Sequence, residues 1–223
     1  MKFILTPIYI CAFVFLGITQ ENKGRISYDI FVSSDDPQTS AYVDQMEGST
    51  LELYFDENYI RSEMYLGDFM TTINIMEKDE DTTVTLLDGM MGKIAMKTTF
   101  DDLEDEQQLA LSQRDVELVE GSKEIMGYQC KKAIVTTADD QESVVWYTDE
   151  IVPPYREGQY FYEEIPGAPL EIESTWGKMD MKIVAFEFKK KIRKPSKVFS
   201  MEIPSGYTLK TAEEMKAMRQ GRQ

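Results

Sequence analysis

The sequence predicts a mainly β protein: one strongly curved antiparallel sheet, or half-barrel, with one or two short helices in its concavity and a short C-terminal helix. First, runs of β-branched and aromatic residues alternate with polar ones between short turns, which is typical of antiparallel strands with one buried face. Second, the apolar positions within Met179 to Ile192 change from odd to even, which indicates a β-bulge that curls a sheet. Third, a chain of this length can bury one substantial core.

The N-terminal residues have the pattern of a secretion signal. Lys2 supplies a positive end, and Phe3 to Ile18 is an apolar run that is short for a membrane span of about 20 residues. Gly17 and Thr19 provide small side chains at the expected cleavage site. We therefore predict a signal peptide at residues 1–20.

The remaining residues, 21–223, are predicted to form a single β-rich half-barrel domain. Because the N-terminal segment directs export, we expect this domain in the periplasm or outside the cell. A retained N-terminal anchor is the alternative, since Pro7 interrupts the apolar run and the cleavage site is imperfect.

The chain is strongly acidic. It has 24 Lys and Arg against 40 Asp and Glu, a formal net charge of −16 at pH 7. A field of this sign repels nucleic acid and anionic lipid surfaces, so we expect neither as a direct partner. The simplest role of the charge is solubility.

Histidine is absent from the sequence. Ser-His-Asp catalysis, Cys-His catalysis and histidine-ligated metal sites are therefore excluded. After removal of the signal, Cys130 is the single cysteine, so no intramolecular disulfide forms and we expect a buried, inert thiol. We predict no catalytic residues, no metal site and no cofactor. Carboxylate-pair chemistry, as in glycosidases, is the enzymatic alternative that remains.

The first half of the mature chain is predicted to contain strands and one helix. Gly24 to Val32 alternates apolar and polar residues and is the first strand. Asp36-Pro37 begins a helix, as an N-cap followed by proline, and this helix ends near Gly48. Two strands surround the turn at 56–58. The polar stretch 101–113 is predicted to be a linker or a short surface helix. Three further strands lie between these two regions: Met70–Met76, Thr83–Leu87 and Gly92–Thr98.

The most distinctive stretch runs from Gly127 to Glu173. Ala133 to Thr137 and Val144 to Thr148 are predicted to pair as a hairpin. A third strand follows, with Leu170 on a buried face and Glu171 on a face exposed to water.

A loop with four prolines, residues 152–169, is predicted to join the last two of these strands without ladder pairing. Its aromatic residues are a candidate interaction surface: Tyr155, Tyr160, Phe161 and Tyr162. Packing of these rings over a sheet edge is the alternative.

Three sequence features of this stretch resemble a known group of envelope proteins. They are Gly-Tyr-x-Cys-Lys-Lys-Ala from Gly127, Trp-Tyr-Thr-x-x-Ile from Trp146, and a Pro-Gly turn followed by Leu-Glu-Ile. Their order resembles the GLPGLI family and neighbouring families of domains of unknown function. Ile165 to Leu170 departs from the name-giving motif, so membership of a sister family is the alternative. The resemblance implies a distant similarity to LolA/LolB-type half-barrels, in which helices fill the concave side of a curved antiparallel sheet.

The C-terminal part combines charge with two predicted elements. Residues 189–194 form the one basic cluster of an acidic chain and are predicted to keep a strand end soluble; a docking site for an acidic partner is the alternative. The last strand is predicted at Val198 to Ile203. Thr211 followed by Glu214 is a capping-box signature for a terminal helix.

The chain contains 14 methionines. Flexible, polarizable side chains suit a surface that accommodates varied apolar ligands. We predict that a ligand-binding face in the concavity is formed by Met64, Met76, Met96, Trp146, Met179 and Met181. Ordinary core filling is the alternative explanation for the methionines.

Together these patterns predict a secreted or periplasmic, non-enzymatic protein that binds lipid or another apolar molecule in a curved sheet. The alternative is a structural or protein-interaction component of the cell envelope whose core is filled by its own helices. The expected partners are accordingly an apolar small molecule or an envelope protein, and the sequence leaves the oligomeric state open.

Overall fold

The computed structural model describes residues 20–68, 70–78, 80, 82–102, 114–154 and 164–220. Its strands belong to one sheet of 12, in the order β12-β6-β5-β4-β3-β2-β1-β11-β10-β9-β8-β7. The strands are β1 (Gly24–Ser33), β2 (Thr50–Phe55), β3 (Tyr59–Leu66), β4 (Met70–Glu77), β5 (Thr83–Gly89), β6 (Gly92–Thr98), β7 (Arg114–Ile125), β8 (Tyr128–Thr137), β9 (Glu142–Thr148), β10 (Ala168–Trp176), β11 (Met179–Lys189) and β12 (Thr208–Lys210).

The helices in the described part of the chain are short. They are α1 (Pro37–Val43), α2 (Pro195–Val198), α3 (Ala212–Gln220) and the 3-10 turns Asp44–Met46 and Phe100–Asp102. Neighbouring strands are antiparallel, except that β12 runs parallel to β6. The prediction of a mainly β protein with one open, curved sheet and few short helices is confirmed. None of the helices described is long and apolar enough to cross a membrane.

Local sequence explains the predicted hairpin of β2 and β3. Alternate apolar residues of β2 are buried, and the strand is followed by Asp56, whose backbone N–H donates to the Tyr59 carbonyl (3.0 Å). The Asp56 carboxylate accepts hydrogen bonds from the backbone N–H groups of Asn58 (2.9 Å) and Tyr59 (3.0 Å). This Asx geometry fixes the turn and therefore the register of the two strands.

The sheet curls toward the face that carries the larger core, which we call the inner face. Glu21 precedes β1 and Ile151 follows β9, yet the two residues form a parallel bridge across the intervening β11 and β10. On a flat sheet, three strand spacings would separate these strands by about 14 Å. The rings of Tyr128 on β8 and Phe188 on β11 also meet, with centroids 6.4 Å apart. The sheet is therefore strongly curved.

Two cores lie on opposite faces of this sheet. The larger core occupies the inner face of β1–β3 and β8–β11 and includes Ile26, Leu53 and Val145. Along β4–β6 the side chains of a second core lie on the opposite, outer face, as the strand register shows. Ile94 of β6 lies on the inner face and is also buried, but it does not belong to that second core. The members of this second core are Ile75, Val84, Leu86 and Ala95, which pack with Ile73, Met201, Ile203 and Tyr207. The C-terminal segment thus covers the outer face of β4–β6.

The β-bulge predicted in the long C-terminal strand is present in β11. Ser27 and Tyr28 are adjacent on β1, but their partners Glu187 and Ala185 are separated by Phe186, which is the extra residue. The change of phase therefore falls at Phe186, a few residues beyond the point at which the apolar pattern changes. Since a bulge increases local twist and bends a strand, it contributes to the curvature of the sheet.

Both predicted helix starts are confirmed by their hydrogen bonds. Helix α1 begins at Pro37, and the preceding Asp36 carboxylate accepts a hydrogen bond from the N–H of Thr39 (3.2 Å). Before α3, the Thr211 N–H donates to the Glu214 carboxylate (2.9 Å), and the Glu214 N–H donates to the Thr211 hydroxyl (3.1 Å). Each cap satisfies backbone donors that the first turn leaves unpaired.

The predicted strand from Val198 to Ile203 is wrong. Phe199 stacks on Tyr59, with ring centroids 5.4 Å apart, and Met201 and Ile203 pack against the second core. The alternating pattern therefore reflects side chains directed at a sheet face and not pairing within the sheet. The last strand, β12, comes later and is short.

The predicted loop at 152–169 extends too far. Ala168 and Pro169 belong to β10 and lie opposite Thr148 and Tyr147 of β9. Pro169 is tolerated because the register shifts directly after it, where a ladder hydrogen bond is lost in any case.

The strand β7 was not predicted from the sequence. It is an edge strand with many exposed charged residues, and a register shift between Val119 and Ser122 interrupts its alternation. A charged, bulged edge discourages pairing with other chains, and the same features hide the strand pattern.

Candidate functional site

Five of the six residues predicted to bind ligand share the inner face of the sheet. Strand pairing from β11 through β1 to β6 places their side chains on this one side. In order from β11 to β6 they are Met179, Met181, Met64, Met76 and Met96. All five side chains are half-buried.

Four of these five methionines fall into two groups. Met64 and Met181 pack against the larger core, so part of their role is core filling. Met76 on β4 and Met96 on β6 lie on the inner face of the strands whose packed core is on the outer face. The second group is therefore the better candidate for contact with a ligand.

A polar ladder runs between the methionines on this part of the inner face. The Thr85 hydroxyl donates to the Asn74 side-chain oxygen (2.9 Å), and the Asn74 amide donates to the Ser62 hydroxyl (3.4 Å). These two bonds pair part of the polar groups with one another, so fewer of them lose a partner when an apolar molecule lies beside them. Predominantly apolar linings with a few placed polar groups are typical of small-molecule sites.

A pocket of about 470 Å³ opens at the end of β1, β10 and β11. Met181 and Val32 form part of its wall on the inner side, and Phe31 forms part of it on the outer side. Its size is that of a small-molecule pocket. The remaining lining residues are polar or charged: Ser33, Glu142, Glu173, Ser174, Thr175, Asp180 and Lys182.

Trp146 does not join the methionines, because it lies on the outer face. Its neighbours Val145 and Tyr147 are buried in the inner core, and alternation along β9 directs the indole to the other side. Its ring lies between two ammonium groups, with Lys123 Nζ 5.5 Å and Lys132 Nζ 5.9 Å from the centroid. The contact is a cation–π arrangement that tethers β7, β8 and β9.

Glu171 lies beside this arrangement and is only 4% exposed, although the sequence predicts a side chain facing water. Its carboxylate oxygens accept hydrogen bonds from Lys123 Nζ at 2.6 and 2.7 Å, and Lys182 Nζ lies 3.1 Å away. Burial alone would raise the pKa of Glu171, but the two ammonium groups outweigh it and hold the pKa below its ordinary value. The carboxylate is therefore ionised at neutral pH and acts as a structural link.

The Cys130 thiol is 1% exposed, as the sequence predicts for an inert thiol. Burial raises its pKa to about 11. Since the thiolate is the reactive form, the group is a poor nucleophile at neutral pH. Within the described residues, no group of three or more Asp, Glu, Cys or His side chains is placed to hold a metal ion.

Two predictions lie outside the described residues. They are the aromatic interaction loop, with Tyr155, Tyr160, Phe161 and Tyr162, and the signal peptide, of which the structure describes only Gln20.

Comparison with protein families gives one match. A family model described as "Domain of unknown function (DUF4412)" matches residues 39–154. This agrees with the resemblance to domain-of-unknown-function families, whereas membership of the GLPGLI family in particular is not confirmed and stays a prediction. No curated protein matches the chain.

Solved structures with a similar fold include PNGF-II in two space groups. The C2 structure gives a TM-score of 0.53 at 15% identity, over 88% of this chain and 32% of that chain. The P21 structure gives 0.54 at 14% identity, over 88% and 33%. The chain thus spans about a third of the length of PNGF-II, and at this identity the similarity shows the fold alone. The Mycobacterium tuberculosis lipoprotein LppX aligns with a TM-score of 0.37 at 8% identity, over 76% of this chain and 88% of that chain.

Proposed function

The chain belongs to the DUF4412 family, a domain of unknown function, and we propose that it is an exported, non-enzymatic protein that binds lipid or another apolar molecule. The binding surface is the inner face of β4–β6 with its methionines. One observation carries the proposal: the packed core of these strands lies on the outer face, so their inner face is not committed to that core.

The side chains on this surface suit an apolar ligand. Met76 and Met96 are half-buried and keep part of their flexible, polarizable surface outside the packed core. Such side chains adapt to ligands of varied shape at little cost. Two hydrogen bonds within the polar ladder of Ser62, Asn74 and Thr85 reduce the number of polar groups that an apolar ligand would desolvate.

The non-enzymatic part of the proposal rests on the available chemistry. The sequence contains no histidine to act as a base near neutral pH. The Cys130 thiol is protonated at that pH because its pKa is raised to about 11. Export is inferred from the N-terminal pattern of a positive residue, an apolar run and small residues.

Titration with a neutral fluorescent probe, N-phenyl-1-naphthylamine, tests the binding surface. We expect saturable binding to the wild-type protein. In the double variant Met76→Gln/Met96→Gln, two amides replace apolar groups of similar size, and the affinity should fall about ten-fold because polar groups are desolvated against the probe.

The matched control is Met90→Gln/Met91→Gln, which makes the same chemical change at the turn between β5 and β6. Met90 is 93% and Met91 42% exposed, and neither lies on the inner face, so probe affinity should not change. Circular dichroism establishes that both variants fold. Absence of saturable binding, or equal losses in both double variants, would reject the methionine face as the site.

A further inference from the structure

We propose that a second site, a cationic pocket on the outer face, binds the carboxylate or phosphate group of a small anionic ligand. The pocket has a volume of about 400 Å³. None of its lining residues in the described part of the chain is acidic: Arg25, Tyr54, Lys189, Lys191, Ile192, Arg193 and Val198. It lies on the side of the sheet opposite the methionines, so the proposal is independent of apolar-ligand binding.

The pocket is formed where the chain leaves the sheet and folds back over it. After β11 the backbone turns at Lys194, which has a left-handed φ of 54°, and enters helix α2. This turn places the segment 191–198 above Arg25 and Tyr54, which are paired on the outer face of β1 and β2. The position of the pocket wall is therefore determined by the fold of the backbone and not by the conformation of side chains alone.

Two contacts anchor this segment to the sheet. The guanidinium of Arg61 on β3 donates a hydrogen bond to the Val198 carbonyl (3.0 Å). The next residue, Phe199, is buried and stacks on Tyr59. A wall fixed in this way keeps the cationic pocket open without a ligand, which lowers the free-energy cost of binding.

The cations of the pocket differ in how they are paired. Arg25 forms ion pairs with Glu52 (Nε, 3.1 Å) and Glu187 (Nη2, 2.5 Å), and Lys189 also pairs with Glu187 (2.7 Å). Lys191 and Arg193, in contrast, are exposed and have no ion pair with any carboxylate in the described part of the structure.

The charge of the site is positive on a negative molecule. Four lining cations (Arg25, Lys189, Lys191 and Arg193) against the two carboxylates of Glu52 and Glu187 leave a local charge of +2, whereas the chain carries −16. Local positive potential in a concave site concentrates anions. Guanidinium and ammonium donors form strong, charge-assisted hydrogen bonds with carboxylate and phosphate. The volume suits a small molecule.

Phosphate groups probe the site directly. The probes are inorganic phosphate and dihexanoyl phosphatidic acid below its critical micelle concentration. Binding of each probe is measured from the changes in backbone amide NMR chemical shifts at constant ionic strength. We expect saturable shifts around residues 25, 54 and 189–198. In Lys191→Gln/Arg193→Gln the affinity should fall about ten-fold or more, because two charge-assisted contacts are lost.

The matched control is Lys78→Gln/Lys97→Gln, which removes the same charge from exposed positions away from the pocket. It should bind phosphate as the wild-type protein does. Shifts that fail to saturate, saturation centred elsewhere, or an equal loss in both double variants would overturn the proposal. If phosphatidic acid binds at least about ten-fold more tightly than phosphate, the ligand is a lipid headgroup; equal affinity identifies a small soluble anion.

Discussion

At the residue scale, Glu171 shows how neighbouring strands alter the environment of a side chain. Alternation along β10 assigns it to the outer face, where a carboxylate would normally be hydrated. Lys123 on β7 and Lys182 on β11 instead close over it and supply the hydrogen bonds that water would make. The buried carboxylate links β10 to β11, which follows it in the chain, and to β7, which is distant in sequence.

The substitution Glu171→Gln is expected to destabilise the protein by about 1.5–3 kcal/mol at pH 7, the typical value of hydrogen bonds to charged groups. Because the folded-state pKa of Glu171 is lowered, its contribution is complete above the unfolded-state value and is lost as the pH falls through the folded-state value. Urea unfolding from pH 7 to acid should therefore show the wild-type advantage shrinking.

The control for this comparison is Glu173→Gln. Glu173 also pairs with Lys182, at 2.6 Å, but its side chain is 46% exposed, and exposed ion pairs contribute little to stability. A stability difference for Glu171→Gln that is no larger than that of the control, or that is independent of pH, would contradict the structural link.

Cys130 is expected to react slowly with thiol reagents in the folded protein. A pKa raised from 9.0 to about 11 leaves about 100-fold less thiolate at pH 8, and burial restricts access further. The measurement is the rate of reaction with a chromogenic disulfide at pH 8, with and without urea, in a Cys11→Ser variant. Equal rates in the folded and unfolded protein would show that the thiol is accessible.

The sequence predicts the face of such residues better than their surroundings. Alternation places Glu171 and the five methionines on the correct sides of their strands because a strand repeats every two residues. The prediction that Trp146 lies in the concavity is wrong, because its buried neighbours Val145 and Tyr147 require the opposite side. The lysines that surround Trp146 and Glu171 come from other strands, and sequence spacing contains no information about them.

At the scale of elements, the segment after α2 covers the outer face of β4–β6, as a second layer of helix or sheet would. Its apolar residues Met201, Ile203 and Tyr207 cover the second core. Helix α3 follows and carries the buried Met215. Without this segment, Val84 and its buried neighbours would be exposed to water. The C-terminal part is therefore required for the stability of β4–β6, three of the 12 strands.

Two truncated proteins test this requirement. Deletion of residues 199–223 exposes the second core, at about 1.5–3 kcal/mol for each large buried side chain, and should leave a protein that is unfolded or insoluble. Deletion of residues 212–223 removes α3 alone and should lower the melting temperature moderately. Thermal melting and sedimentation measure both effects, and equal behaviour of the two proteins would contradict the covering role.

Elements fixed by local interactions were predictable, and those fixed by distant contacts were not. The helix caps at Asp36 and Thr211 and the bulge in β11 follow from a few neighbouring residues. The segment from Val198 to Ile203 has the alternation of a strand, but its position is decided by packing on β3–β6. The edge strand β7 has a weak pattern because its charges and bulge protect the edge.

At the scale of the whole molecule, the functional proposal follows from the exchange of the packed face, which is the inner face in one part of the sheet and the outer face in another. One curved sheet buries its inner face along β1–β3 and β8–β11, and its outer face along β4–β6. The inner face of β4–β6 thereby presents methionines beside the hydrogen-bonded ladder of Ser62, Asn74 and Thr85. Alternation alone cannot reveal this exchange, because it defines two faces for each strand without indicating which one is packed.

Native mass spectrometry tests the central claim, binding of an apolar molecule by the exported protein, most directly. The protein would be purified without detergent from the envelope fraction of the cells that make it, and its mass measured before and after denaturing extraction. We expect a stoichiometric lipid or other apolar molecule that is released on denaturation, and a smaller amount of it in Met76→Gln/Met96→Gln. A polypeptide without any bound molecule, in both the wild type and the variant, would contradict it.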